Sequence, residues 1–202
     1  MTDVNYGINQ YQNDIERYVN DIQGQLNHLS SSWKEINCCI LTEFEKLQKL
    51  VNEAHNLTST YYLQHYLSPY TEQFSILSLA AQHLSNKRHG GLMIVERSIK
   101  VDGFIHSGTP IGAKVSHTLL ETIFYPGNPI HDGGTLIRKD EIISAGNILP
   151  VTEKQANGKK LGTRHRAAIG LTEHTDAVVI VVSEETGRIS FAYEGELYVV
   201  RP

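Results

Sequence analysis

Apolar residues recur in this chain at two different spacings, and the change falls near residue 90. Up to Lys87 they come every three or four residues. Beyond it they gather into short runs such as Leu92 to Glu96 and Ala177 to Val182. The first spacing is that of an amphipathic helix, and compact apolar runs bounded by turn residues are those of buried strands. The switch therefore requires a helical section followed by a mixed α/β section.

The helical section reads as a pair. Ile8, Tyr11, Ile15, Tyr18, Ile22, Leu26 and Leu29 share one helix face. Ser32 to Glu35 has the pattern of a capping box. Trp33, Ile36, Ile40, Phe44, Leu47 and Val51 then form a second stripe. Two antiparallel helices would leave an apolar seam open, so the pair should pack on something else. Residues 56 to 68 read as transitional, and Ser68-Pro69 breaks any helix that reaches it. Tyr70 to Lys87 is helical again, with Gly90-Gly91 as its stop. His106 to Ser116 reads as a loop, and Ser116 can cap a helix from His117 to Phe124. Tyr125 to Gly134 is a loop with two prolines and three glycines. Thr135 to Leu149 reads as a hairpin turning at Lys139-Asp140, and Pro150 to Lys160 as an exposed polar loop. A short helix near Arg164 to Leu171, a buried strand in Asp176 to Ser183 and two short strands after Gly187 complete the chain. The expected fold is mixed α/β: a helical pair over residues 1–60, then a mixed β-sheet wrapped by helices over 61–202.

Composition removes several function classes. The chain has 202 residues, 18 basic and 22 acidic, for a net charge of −4. That balance gives no global attraction to nucleic acid or to an anionic membrane. The longest apolar run has six residues, far short of the roughly 20 of a membrane span. Its start, MTDVNYGINQYQND, lacks a signal peptide's basic start and apolar core. Cys38 and Cys39 are the only cysteines, and neighbours rarely pair with each other. A soluble, cytoplasmic protein is expected, with no nucleic-acid and no membrane partner.

Three stretches could carry chemistry. Gly162-Thr163-Arg164-His165-Arg166 opens a helix whose free N–H groups and dipole favour an anion. Arg164 and Arg166 point to different sides of such a helix. One could hold a ligand and the other a structural carboxylate; a solvated basic turn is the plain alternative. In His131-Asp132-Gly133-Gly134, glycine permits close backbone approach. Asp132 could bind Mg²⁺ or Mn²⁺ or accept a hydroxyl proton; an Asx turn is the plain alternative. Ser183-Glu184-Glu185 follows a buried strand, where α/β sheets often place ligand contacts. Its acids could hold a hard cation or simply be solvated in a hairpin. Neither a Walker A pattern nor a G-x-S-x-G elbow is present.

Taken together, Asp132-Gly133-Gly134, Arg164-His165-Arg166 and the long flank to Gly187 resemble the diadenylate cyclase domain, whose hallmarks are Asp-Gly-Ala and Arg-His-Arg. The resemblance runs from about Tyr70 to the end. The helical extension is similar to that of the sporulation-type class. What this implies is synthesis of cyclic di-AMP from two ATP, with release of two pyrophosphates, by a metal-dependent nucleotidyltransferase using Mg²⁺ or Mn²⁺. It further implies that Asp132 activates the ribose 3′-hydroxyl and binds the metal, and that Gly133 admits the nucleotide. Thr163, Arg164 and Ser183 would meet phosphate oxygens, with His165 and Arg166 in the same substrate-binding motif and Arg166 able to hold its loop. Glu184 and His131 would be metal ligands, and Leu149 would line the adenine pocket. Gly134 stands where the family has alanine, which leaves open a nucleotide-binding regulatory module without turnover. A metal phosphohydrolase is a more distant alternative. Because the product is symmetric and each chain has one set of motifs, the partner should be a second copy, in at least a dimer and up to a hexamer. Residues 1–60 would then control assembly and restrain activity.

Overall fold

A computed structural model describes residues 2–32, 39–153 and 161–201. Two compact units divide it, Met1–Tyr62 and Leu63–Pro202. Trp33 to Glu35 of the capping box, the position Ile36 and most of the polar loop before Leu161 lie outside the described residues.

In the first unit, α1 (Thr2–Ser32) runs antiparallel to the first part of α2 (Cys39–Leu67). The direction is fixed by two sets of contacts. Tyr11 stacks on Tyr61 with ring centroids 3.9 Å apart, while Gln25 donates to Glu43 near the other end. The expected pair is therefore present, but its second stripe is displaced. Phe44 and Val51 are exposed, and so are Val19, Leu26 and Leu41. The expectation weighted apolar character alone, whereas Glu43 and Thr58 bridge to α1 through polar contacts. α2 also continues through the stretch read as transitional and stops only at Leu67, before Pro69.

The second unit is one seven-stranded mixed sheet with helices on both faces. Its elements are α3 (Phe74–Lys87), β1 (Gly91–Glu96), β2 (Thr109–Lys114), α4 (His117–Ile123), β3 (Gly134–Arg138), β4 (Glu141–Asn147), α5 (Thr163–Thr172), β5 (Val178–Val182), β6 (Ile189–Tyr193) and β7 (Glu196–Arg201). The order across the sheet is β2-β4-β3-β1-β5-β6-β7. β1 and β3 are parallel; every other pairing is antiparallel.

β1 and β5 are buried along their whole length, as their apolar runs require. Alternation splits their side chains between two cores. Met93, Val95, Ile180 and Val182 face α3 and α4, joined by Leu63 and Leu67 from the end of α2. Leu92, Ile94, Val179 and Val181 face α5.

Ser116 caps α4 as expected, its hydroxyl accepting from Leu119 N at 3.2 Å. Two expectations need correction. Thr109 to Lys114, read as loop, is an edge strand paired only with β4. Its single neighbour lets it carry Pro110 and, at a break in register, Gly112 with φ 63°. α3 is ended not by Gly90-Gly91 but by Arg88, which itself takes the left-handed conformation (φ 53°).

Candidate active site

The sheet register decides whether the three chemical stretches can meet. β1 and β3 are parallel, with Met93 beside Thr135, so the loop before β3 and the turn before β1 lie at the same sheet end. β5 is antiparallel to β1, with Val182 beside Gly91, so Ser183 and Glu184 leave at that end as well. Gly134 pairs with Asn147, which brings the segment leading to Leu149 there too. Asp132, Gly90, Ser183 and Leu149 are far apart in sequence yet all flank one edge of four adjacent strands.

Arg164 joins α5 to that edge. Its Nη1 donates to Glu184 Oε2 at 2.8 Å. A Cβ placed on Gly90 would lie 2.3 Å from the same Nη1 and 2.5 Å from Cζ. The guanidinium therefore occupies the space where Gly90 lacks a side chain. Its buried Nε–H has no hydrogen-bond partner among the described residues. Gly162 is the N-cap, with no side-chain bond, and Thr163 opens the first turn. Thr163 is exposed, and the first turn it opens carries free N–H groups and the dipole's positive end.

Arg166 has a structural partner. Its Nη2 donates to Thr152 O at 3.0 Å, and Thr152 N donates back to Arg166 O at 3.1 Å. Thr152 is buried, although the stretch from Pro150 reads as exposed, because this two-way clasp holds it against α5. His165 lies partly buried between charges. Burial first, and then the Arg188 guanidinium, push its pKa below the ordinary 6.5, against an opposing pull from Glu185. The shift favours the neutral imidazole.

The Asp132 loop is braced from behind. Gly133 has φ +107°, a conformation that disfavours any side chain, and a Cβ there would meet Asn147 O at 2.5 Å. Buried Asn147 donates from Nδ2 to Gly134 O at 2.8 Å and accepts from Ser144 Oγ at 3.0 Å. His131 Nδ1 lies 2.6 Å from the Asn128 carbonyl. A carbonyl only accepts, so Nδ1 carries the proton and Nε2 keeps its lone pair. Gly134 has an ordinary backbone. Its missing methyl would lie 2.7 Å from Ile94 Cδ1 and 2.9 Å from Leu149 Cδ1. Leu149 itself is buried in the α5-side core.

Ser183 closes the turn after β5, where its Oγ accepts from Thr186 N at 3.3 Å. Glu184 and Glu185 are exposed.

For a divalent cation, the donor set at Asp132 fits. The Asp132 carboxylate is exposed and has no hydrogen bond or ion pair among the described residues, and the neighbouring His131 Nε2 is available. Glu184 stands apart. It follows a strand two positions from β3, about 10 Å at ordinary strand spacing, and is bonded to Arg164. Among the described residues, His131, Asp132 and Glu184 do not bring three ligand atoms within reach of one ion.

Sequence reasoning had singled out Asp132, Arg164 and Ser183, but not Gly90, Asn147 or Thr152. Gly90 and Asn147 act through tertiary contact with residues distant in the chain, so no local pattern marks them.

Known proteins resemble this chain over nearly its whole length. A family profile described as DisA bacterial checkpoint controller nucleotide-binding matches residues 78–197. One described as Diadenylate cyclase CdaS, N-terminal, matches residues 2–70. Diadenylate cyclase CdaS of Bacillus thuringiensis is 51% identical over 162 residues, covering 80% of this chain and 81% of that protein. Cyclic di-AMP synthase CdaS of Bacillus subtilis is 42% identical over 190 residues, covering 94% and 91%. A crystal structure described as that of a hypothetical membrane spanning protein from Bacillus cereus is similar at TM-score 0.86 and 42% identity, covering 98% of this chain and 97% of that one. Among the described residues here, no helix is long and apolar enough to cross a membrane. A double mutant of DacA from Staphylococcus aureus is similar at TM-score 0.60 and 36% identity, over 63% of this chain and 85% of that one.

Proposed function

This chain belongs to the diadenylate cyclase family and is a diadenylate cyclase, and on that premise we propose how its own residues perform the reaction. The observation that carries the reading is Arg164, anchored at the strand ends by Gly90 and Glu184, at the same sheet edge as the exposed Asp132 carboxylate.

ATP binds with its phosphates at the first turn of α5. Thr163 offers its hydroxyl and N–H there, Arg164 its guanidinium, and Ser183 a further hydroxyl. Neutral His165 can donate to phosphate without adding charge, and Arg166 keeps the turn fixed through Thr152. Adenine packs near Leu149. Asp132 accepts the proton of a ribose 3′-hydroxyl. That oxygen attacks the α-phosphorus of the other ATP, and pyrophosphate leaves from the opposite side. Repeating the step in the reverse sense closes the ring. Mg²⁺ or Mn²⁺ at Asp132 and His131 would neutralise phosphate charge and acidify the hydroxyl. Glu184 would offer it the other oxygen, Oε1, only by moving toward Asp132.

One chain carries one Asp132 and one Arg164, and the product needs each twice. Two catalytic domains therefore face one another, each holding an ATP. The exposed apolar residues Val19, Leu26, Leu41, Phe44 and Val51 on the helical pair support a larger assembly, and we assign residues 1–60 the role of building it and restraining the cyclase faces. The cytoplasm, with its ATP, is the location this chemistry requires. Mass analysis of the product from ATP with Mg²⁺ or Mn²⁺ tests the reading. Cyclic di-AMP from the wild type and none from Asp132→Asn is the expected result. Product from Asp132→Asn at the wild-type rate would overturn the assignment of the base.

A further inference from the structure

Outside the Asp132 loop and the first turn of α5, three potential metal ligands from two helices meet. His83 lies on α3, and His117 and Glu121 lie one turn apart on α4. His83 Nδ1 is 2.7 Å from Glu121 Oε1, and His117 Nδ1 is 3.1 Å from the same oxygen. The imidazole rings stand at 87°, with centroids 5.7 Å apart. One ligand atom from each residue lies within 4.8 Å of the others, the only such trio among the described residues.

We propose that His83, His117 and Glu121 form a binding site for a divalent transition-metal ion of the zinc class, which clamps α3 to α4. Four-coordinate zinc has ligand distances of about 2.0–2.2 Å, so neighbouring ligand atoms stand about 3.3 Å apart. The observed separations of 2.7 and 3.1 Å need only a slight opening to reach that edge length. Two imidazoles and one carboxylate suit such an ion and leave a fourth position for water. The half-exposed histidines give the ion a way in, while Glu121 is the more buried. Without metal, both Nδ1 atoms donate to the carboxylate; with metal, the proton moves to Nε2 and the Nδ1 lone pairs turn inward. Lys87 is the competing charge, its Nζ donating to Glu121 Oε2 at 3.0 Å. It is exposed and free to swing into solvent.

The position gives the clamp a consequence. α4 leads into the loop of Asp132, where Asn128 binds Thr122 O and holds His131. α3 leads through Arg88 to Gly90, the seat of Arg164. A metal joining these helices ties together the supports of both halves of the active site.

The test uses the full chain, with Mg²⁺ in excess, titrated with Co²⁺ and then with Zn²⁺. We expect one equivalent of Co²⁺ with the visible bands of four-coordinate cobalt, displaced by zinc. Zinc at 100-fold above Kd should raise Tm by about 5–10 °C. His83→Gln with His117→Gln should abolish the bands and the Tm shift. Lys87→Ala should bind several-fold more tightly. Bands unchanged in the double variant, only six-coordinate cobalt in the wild type, or a thiolate charge-transfer band from Cys38-Cys39 would each overturn the proposal. So would weaker binding by Lys87→Ala, which keeps the test decisive even if the double variant fails to fold.

Discussion

Replacing Gly90 by alanine should disable the enzyme while leaving the fold intact. The new Cβ would stand 2.3 Å from Arg164 Nη1, and ordinary contact begins near 3.4 Å, so the guanidinium must retreat by about 1 Å. A retreat of that size pulls it from the position it holds 2.8 Å from Glu184. The stability effects are small and opposed. Gly90 has an ordinary backbone, so alanine stabilises by about 0.4–1 kcal/mol through the unfolded chain. The partly exposed ion pair contributes about 0–1 kcal/mol. Tm should therefore stay within a few degrees of the wild type. A 1 Å misplacement of a group that positions phosphate costs up to about 10²-fold in rate, or roughly 2.7 kcal/mol of barrier. The assay is the initial rate of cyclic di-AMP formation at saturating ATP, with Tm measured on the same samples. Gly90→Ala combined with Arg164→Ala should be no slower than Arg164→Ala alone, because both act on one guanidinium. Full activity in Gly90→Ala, beside a strong defect in Arg164→Ala, would refute the argument that the seat fixes the arginine's position.

Three further outcomes follow from other parts of the structure. Gly133→Ala forces a side chain onto Asn147 O at φ +107°, and should cost about 1–3 kcal/mol in urea denaturation while also lowering the rate. Glu96, whose side chain is 1% exposed, is held at a pKa of about 2: burial opposes its charge, but bonds from Arg138, Lys100 and Val101 N outweigh that cost. Its folded pKa is depressed, so its contribution, roughly 3 kcal/mol, is complete above about pH 4.5 and lost as pH falls through 2. The stability gap between wild type and Glu96→Gln should narrow over that window in urea titrations; a constant gap would contradict it. Removing residues 1–62, while keeping Leu63 and Leu67 in the core, should change the assembly measured by sedimentation and raise the rate per domain. The same size and rate would deny the helical pair both roles.

Much of this fold was legible because local chemistry and tertiary need agreed. The run from Val178 to Val182 could only be a strand buried on both faces, and Ser116 could only serve well as a cap. The basic turn at Thr163 to Arg166 announced a helix start, and its partner loops could be listed as candidates. What the residues could not disclose was their convergence, which depends on β1 and β3 being parallel and β5 antiparallel to them. Other features were hidden for specific reasons. β2 carries Pro110 and Gly112 because an edge strand has only one neighbour to satisfy. The last turns of α2 persist through polar residues because Leu63 and Leu67 are buried at their end. Gly90 reads as a helix stop, but Arg88 already stops the helix, and Gly90's role comes from an arginine 74 positions later. Gly134 follows the same logic: its missing methyl faces Ile94 and Leu149, a packing relation that no motif comparison contains.

The central claim is that catalysis requires two copies of the Asp132–Arg164 edge facing one another. Its most direct test is the rate of cyclic di-AMP formation per subunit across a dilution series, with assembly state measured by sedimentation at each concentration. The account predicts that the rate per subunit falls toward zero in step with the loss of dimers, while ATP binding per subunit persists. An unchanged rate per subunit in samples shown to be monomeric would contradict it.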